Sequence, residues 1–121
     1  MSWVEVHSRL ANTALLFCAI MAVWGLWRFF RRQGVDGSFW GALIIAELLI
    51  LAQGGTGAYL WISGLRPVRN LHLLYGIVSA LAVPLVYVFT KGRDERPEVL
   101  MYGVAFLVLI GLLLRAMVTG G

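Results

Sequence analysis

Four apolar runs, each long enough to cross a lipid bilayer, dominate this chain. They cover residues 5–30, 39–62, 71–89 and 98–116. A helix needs about 20 apolar residues to span the hydrocarbon core of a membrane. In lipid, a single segment satisfies its backbone hydrogen bonds only as a helix. The pattern therefore predicts an all-α integral membrane protein with four transmembrane helices.

The composition and the short connections favour one compact unit. Only 13% of the residues are charged, about half the fraction of a typical soluble domain. Short connections make consecutive helices antiparallel neighbours, which predicts an up-down-up-down four-helix bundle. Residues 1–121 are then a single transmembrane domain in which the first and third helices lie on one diagonal.

Basic residues cluster at the ends of the apolar runs, which is typical of membrane orientation signals rather than of nucleic-acid binding. We therefore expect no nucleic-acid partner. The denser set lies at one end of the predicted bundle: Arg28, Arg31, Arg32, Lys91, Arg93 and Arg96. The other set is Arg9, Arg66, Arg69 and Arg115. The positive-inside rule predicts that the denser set is cytoplasmic. Both termini then lie outside, in the plasma membrane of a bacterium or archaeon.

Two histidines are the strongest candidates for a functional site. His7 opens the first run and His72 opens the third, so both are expected at one depth near the outer face. Small residues follow each histidine at helical spacing: Ala11, Ala14, Gly76 and Ser79. We expect these to leave a slot beside the imidazoles. Two imidazoles flanking a slot in a helical bundle favour bis-histidine ligation of a haem.

Two other interpretations of the histidine pair remain open. Each histidine is also compatible with an ordinary interfacial position at a helix end, where a polar ring reaches water. A structural zinc ion would require about four protein ligands. The chain has no further histidine, and its one cysteine, Cys18, lies within the first apolar run, where it is expected to pack as a small residue.

Further residues would serve a haem near the outer face. The outer arginines, Arg9, Arg66, Arg69 and Arg115, are candidates to pair with its propionates. Glycines of the second run, among them Gly54 and Gly57 beside Gln53, would let a porphyrin or another helix approach closely. Gly76 would do so on the third. Glu47 lies deep within the second run, where an isolated carboxyl group raises a functional question. A protonated carboxyl group with a role towards protons or a quinone is one interpretation. The one that we favour is a structural hydrogen bond, for instance with Tyr87 or Tyr102.

One stretch resembles half of a haem A synthase. Leu51-Ala52-Gln53-Gly54-Gly55-Thr56-Gly57-Ala58-Tyr59 is followed by Gly64-Leu65-Arg66-Pro67 and then by Leu71-His72-Leu73. The start, Glu5-Val6-His7-Ser8-Arg9-Leu10, is similar to the preceding ligand helix of that family. The family's catalytic half carries a glutamate three residues before the histidine, whereas Val4 holds that place here.

The resemblance implies a four-helix bundle in which His7 and His72 are axial ligands of a haem. We expect one haem b per chain. We expect a transmembrane b-type cytochrome that transfers electrons, because two imidazoles leave iron no open position. Its redox partner would be another subunit, a quinone or an external cytochrome, and homo-oligomers are compatible with the small size. The alternatives are a half-size haem A synthase-like enzyme that acts as a dimer, with Glu5 as its carboxylate, and a non-haem subunit of a respiratory or photosynthetic complex.

Overall fold

The computed structural model describes residues 2–64 and 71–120, and these form four α-helices. They are α1 (Trp3–Phe30), α2 (Gly37–Ile62), α3 (Leu71–Thr90) and α4 (Arg96–Gly120). Each is long and apolar enough to cross a membrane. The prediction of an all-helical integral membrane protein is confirmed.

Three helices begin about two residues earlier than the apolar runs because polar side chains cap them. Ser2 Oγ accepts a hydrogen bond from the backbone N–H three residues on, and Asp36 Oδ1 does the same at the start of α2. At α4, Glu98 Oε1 accepts from Glu95 N at 3.2 Å. Such caps satisfy backbone donors that have no partner within the helix. Hydropathy does not detect them, since the capping residues are polar.

Buried residues recur at alternating intervals of three and four, which is the spacing of knobs-into-holes packing. On α4 the buried positions are Val99, Tyr102, Phe106, Leu109, Leu113 and Ala116. On α1 they include Ala14, Cys18, Met21 and Gly25, and on α2 they include Phe39, Leu43, Ala46 and Ile50. Cys18 lies in this core, as its expected packing role requires. One face of each helix therefore points to a shared interior.

The helices form a ring in which α1 and α3 each pack against α2 and α4. The closest approach joins α1 to α4 through two glycines. A Cβ atom added to Gly25 would lie 3.0 Å from the Cα atom of Gly103. Among the described residues, α1 and α3 thus occupy one diagonal, as predicted.

The connections after α1 and α3 meet at one end of the bundle, which we call the basic end. Val35 N donates to Asp94 O across the two connections at 2.7 Å. Arg28 Nε donates to Gly34 O at 2.7 Å, and its guanidinium pairs with Asp36 at 3.3 Å. His7 and His72 lie at the opposite end, which we call the histidine end.

Large apolar side chains cover the outside of all four helices. Val23 of α1 is 69% exposed, Ile62 of α2 is 84% exposed and Val88 of α3 is 70% exposed. Val108 of α4 is 55% exposed. In water such a surface would aggregate, whereas lipid tails are as apolar as these side chains. The exterior therefore matches a lipid bilayer.

The contact between Gly25 and Gly103 predicts that two glycine-to-alanine substitutions on different helices change the stability of the bundle in opposite directions. Gly25→Ala should destabilise the bundle by about 1–3 kcal/mol, because the new methyl group forces α1 away from the α4 backbone. Gly111→Ala, where a Cβ meets nothing within 4 Å, should be neutral or stabilising by up to about 1 kcal/mol from helix propensity. Thermal unfolding in detergent compares the two variants, and equal effects would contradict this account of the α1–α4 contact.

Candidate functional site

The structure brings the two histidines together at the histidine end of the bundle. The centroids of the His7 and His72 rings lie 6.1 Å apart, and the ring planes cross at 69°. Both side chains are partly buried. Residues 65 positions apart in the chain thus share one small volume, because α1 and α3 run in the same direction on opposite sides of the bundle.

Hydrogen bonds determine which nitrogen of His7 carries the proton. His7 Nδ1 lies 3.0 Å from Thr56 Oγ1. The single hydroxyl proton of Thr56 is already donated to Gln53 O at 2.9 Å. With that proton on Gln53 O, Thr56 Oγ1 accepts and His7 Nδ1–H donates. In a neutral ring this leaves the lone pair on Nε2.

The same assignment follows for His72 from a backbone acceptor. His72 Nδ1 lies 2.6 Å from Ala116 O. A carbonyl oxygen only accepts, so Nδ1 again carries the proton and Nε2 the lone pair. A bond from the far ring nitrogen to a carbonyl or another acceptor is how proteins orient metal-ligating histidines.

The rings meet edge to face, and their centroid separation equals that of two imidazoles bound on opposite sides of one metal ion. A metal lies about 2 Å from each ligating imidazole nitrogen, hence about 3 Å from each ring centroid, so two ligating rings have centroids about 6 Å apart. The measured separation is 6.1 Å. Within residues 2–64 and 71–120, no group of three or more His, Cys, Asp or Glu side chains could hold a metal ion. Of these residue types, the described residues thus bring only the two histidines together at this position.

Gln53 completes the histidine cluster. Its Nε2 atom lies 3.5 Å from His7 Nε2, at the limit of a hydrogen bond. Its Oε1 atom is buried, and it has no hydrogen-bond partner among the described residues. A buried amide oxygen without a partner costs about 1–3 kcal/mol. Gln53 is thus the one member of the cluster whose polar groups are poorly satisfied, so its side chain can change partners at little cost.

The glycines predicted to flank a cofactor fall into two groups. A Cβ atom at Gly57 would lie 3.1 Å from His7 Cε1, so this glycine makes room for the imidazole itself. Gly54 and Gly76 are exposed, and an added Cβ would meet nothing within 4 Å at either position. Only Gly57 is required by a contact that the structure shows.

Two of the four small residues below the histidines, Ala14 and Ser79, are packed in the core rather than lining an open slot. Ala14 and Ser79 are each 1% exposed, and the Ser79 hydroxyl donates to Tyr75 O at 2.7 Å. The expectation that both would line a cleared space is therefore wrong. They allow the helices to approach closely one or two turns below the imidazoles.

Two of the four outer arginines lie within the described residues. Arg9 and Arg115 are exposed at the histidine end. Arg66 and Arg69 lie outside the described residues. The structure thus places Arg9 and Arg115 on the rim around the histidine pair. Glu5, the carboxylate of the enzymatic alternative, is also exposed.

Glu47 does not form the hydrogen bond that the sequence predicts through its buried oxygen atom. Its Oε1 atom is buried and has no hydrogen-bond partner in the described part of the chain. The bond to Tyr87 or Tyr102 predicted from sequence is not formed by this atom, although all three residues line one groove. The Tyr87 hydroxyl lies against Gly92. The Tyr102 hydroxyl lies near Thr90 and has no hydrogen-bond partner among the described residues.

Sequence reasoning missed two members of the histidine cluster. Thr56 was visible only as part of a glycine-rich stretch, and its spacing of three from Gln53 was the available signal. Ala116 contributes its carbonyl oxygen, which leaves no trace in the side-chain pattern. Both depend on how neighbouring helices pack.

Comparison with protein-family models, with curated proteins and with solved structures yields no significant match.

The hydrogen bonds predict the same tautomer for both histidines. In ¹⁵N-histidine-labelled, haem-free protein at alkaline pH, NMR chemical shifts should show Nδ1 protonated in His7 and in His72. Thr56→Val removes the acceptor at His7, so His7 should shift towards the Nε2–H tautomer while His72 serves as an unchanged internal control. Nε2 protonation of His7 in the unmodified protein would contradict the assignment.

Proposed function

We propose that this chain is a transmembrane b-type cytochrome that binds one haem b between His7 and His72. The observation that supports this most directly is the pair of imidazoles at 6.1 Å, each with Nδ1–H held by an acceptor and Nε2 left as the ligating atom. A porphyrin supplies four equatorial nitrogens, so two protein ligands complete the coordination of iron.

The residues around the pair have separate roles in this proposal. Thr56 and the Ala116 carbonyl hold the rings in the ligating tautomer. The Gln53 amide lies near His7 Nε2 and would have to turn aside for that nitrogen to hold a metal. Arg9 and Arg115 are positioned at the rim to neutralise propionates, because guanidinium groups match carboxylates. Arg66 and Arg69 are assigned the same role from their sequence position.

Electron transfer follows from the ligand set. A haem with two imidazole ligands supplies one-electron chemistry without an open position for oxygen or substrate. The protein contributes burial and charge, which set the potential. The haem A synthase-like scaffold suggested by sequence is retained as part of the proposal, without its oxidation chemistry. Glu5 is exposed and two residues from His7, and residues two apart point to different faces of a helix.

The cellular setting is also a proposal. The basic end carries six of the ten lysines and arginines, which supports a cytoplasmic location for that end and an outer location for the histidines. A bacterial or archaeal plasma membrane suits this arrangement. One haem near one face cannot move electrons across the roughly 30 Å hydrocarbon core alone. A partner subunit, a quinone, an external cytochrome or a second copy of this chain would complete the route.

A second function, a non-haem structural subunit, is favoured by one observation. The histidine bonds cross between neighbouring helices: His7 links α1 to Thr56 of α2, and His72 links α3 to Ala116 of α4. Polar bonds of this kind hold membrane helices together, at about 0.6–2 kcal/mol each. In this alternative the lone pair of His7 is satisfied by Gln53.

Absorption spectroscopy separates the two functions. The detergent-purified protein should show a sharp low-spin α band after dithionite reduction. His72→Ala should lose this band or convert it to a high-spin spectrum, because one axial ligand is gone. His72→Met is the matched variant: a thioether can replace the imidazole, so the band should persist with a raised reduction potential.

Two results would contradict the haem proposal. One is a colourless protein that takes up no added haem. The other is a His72→Ala variant with an unchanged spectrum. If His7→Ala and His72→Ala lower thermal stability without affecting any chromophore, the structural function holds instead. Thr13→Val, whose hydroxyl donates only to Arg9 O on the exposed side of α1, controls for general effects of substitution.

A further inference from the structure

A groove between α2, α3 and α4 forms a second candidate site, separate from the histidine cluster. Its volume is about 570 Å³, which falls within the range of about 300–1,000 Å³ typical of small-molecule sites. Its lining includes Trp40, Glu47, Val83, Tyr87 and Tyr102. The groove exists because α2 and α3 pack less closely than the other neighbouring helix pairs.

Two buried polar atoms in this groove have no partner among the described residues. They are Glu47 Oε1 and Tyr102 Oη. Tyr102 is completely buried. Its hydroxyl group lies near the Thr90 hydroxyl, but the two do not meet the distance and angle of a hydrogen bond. Buried polar groups in native proteins are almost always hydrogen-bonded, and each exception calls for an explanation. A ligand that bonds to both atoms would explain them.

Aromatic rings form one wall of the groove. The Trp40 ring lies 5.7 Å from the Tyr87 ring and 5.9 Å from the Tyr102 ring, both in edge-to-face geometry. Such walls suit a flat, electron-poor ring, because aromatic side chains bind other rings by stacking and edge contacts. The apolar remainder of the lining suits an alkyl tail.

The groove extends from Gly92, in the connection after α3, to Glu47 within the membrane-spanning part of α2, and its open side favours a lipid-soluble ligand. Glu47 is ten residues into α2, or about 15 Å from the start of that helix. Ile44, which also lines the groove, is 61% exposed on the lipid-facing surface. A molecule therefore enters from the bilayer, and a charged headgroup would not reach this level without a large desolvation cost.

We propose that this groove binds the ring of a quinone-type carrier. The ring has oxygen atoms at opposite ends, and the Tyr102 hydroxyl donates to one of them. The Glu47 carboxyl group bonds the other oxygen: protonated, it donates to a quinone carbonyl, and ionised, it accepts from a quinol hydroxyl. The inference concerns binding and the identity of the ligand class.

The choice of a redox-active ring rests on the proposed electron-transfer function, whereas binding itself does not require haem. Glu47 and Gln53 are six residues apart on α2, a rise of about 9 Å. A ring in the groove would therefore lie about two helical turns from the histidine cluster. This placement makes a quinone the partner that the proposed cytochrome would meet within its own bundle.

Tryptophan fluorescence of the full-length protein in detergent tests the binding. Decyl-substituted benzoquinone should quench part of the emission in a saturable manner, and Trp40→Phe should remove that part. Glu47→Leu and Tyr102→Phe should each weaken binding about tenfold, as expected for one lost hydrogen bond of about 1.4 kcal/mol. Tyr59→Phe, on the same helix as Trp40 but at the histidine end, should leave the affinity unchanged.

Folding and haem content are checked in the same variants. Glu47→Leu and Tyr102→Phe should be at least as stable as the parent to heat, because each removes a buried polar atom without a partner. His72→Ala should lose the haem spectrum and retain saturable quenching. A parent protein that contains haem but shows no saturable quenching overturns the quinone inference alone. A haem-free parent protein that binds the quinone supports the groove and overturns only the cytochrome.

Other occupants give different results. Decanol is added as a competitor that carries the alkyl chain without the ring. If decanol abolishes the saturable quenching at concentrations similar to those at which the quinone binds, the groove recognises an alkyl chain, and the inference is overturned. Equal affinities in the parent, Glu47→Leu and Tyr102→Phe proteins also overturn it, since the two unpartnered atoms would then have no part in binding.

Discussion

The close contact between α1 and α4 is the interaction on which the rest of this bundle depends. Gly25 and Gly103 allow the two backbones to approach until an added methyl group would clash. Without a hydrophobic driving force between helices in lipid, such van der Waals contact is a main source of helix association. Since α4 packs against both α1 and α3, these two helices lie on opposite sides of α4. The two histidines meet at one end as a consequence.

In a lipid environment, buried polar groups without a hydrogen-bond partner point to places where a ligand could bind, because no water is present to satisfy them. Most hydroxyl groups inside this bundle donate to a carbonyl of their own helix, as Ser79, Thr90 and Thr56 do. Buried side-chain atoms without a partner in the described residues are confined to Glu47, Gln53 and Tyr102. Gln53 belongs to the histidine cluster, and the other two line the groove between α2, α3 and α4. The exceptions thus fall at the two places for which we propose ligands.

The two proposed sites use different properties of the same fold. The histidine cluster is formed by side chains from α1, α2 and α3 and by one carbonyl group of α4. It therefore forms only when the ends of all four helices are aligned with one another. The groove depends on the looser packing between α2 and α3. A haem near the histidine end and a ring closer to the basic end would lie on one line along α2. If both proposals hold, the chain would carry an electron donor and an electron acceptor within one bundle.

The sequence alone determined the helical class, the number of helices and their diagonal arrangement, because apolar length and short connections leave few alternatives in a membrane. It also indicated His7 and His72 as a pair, since matching positions on parallel helices share one depth. The helix starts differed because Ser2 and Asp36 cap them through polar side chains, which hydropathy does not detect.

Only the tertiary structure decided the details of both sites. It assigned the histidine tautomers through Thr56 and the Ala116 carbonyl, and a backbone acceptor on another helix is invisible in a residue pattern. It showed that Ala14 and Ser79 are packed instead of lining a slot, since small residues serve close packing and open space equally well. It also left Glu47 Oε1 without its expected tyrosine partner. The physical reason is common to all three: the rotation of each helix about its axis is set by contacts with its neighbours, and one sequence segment does not contain them.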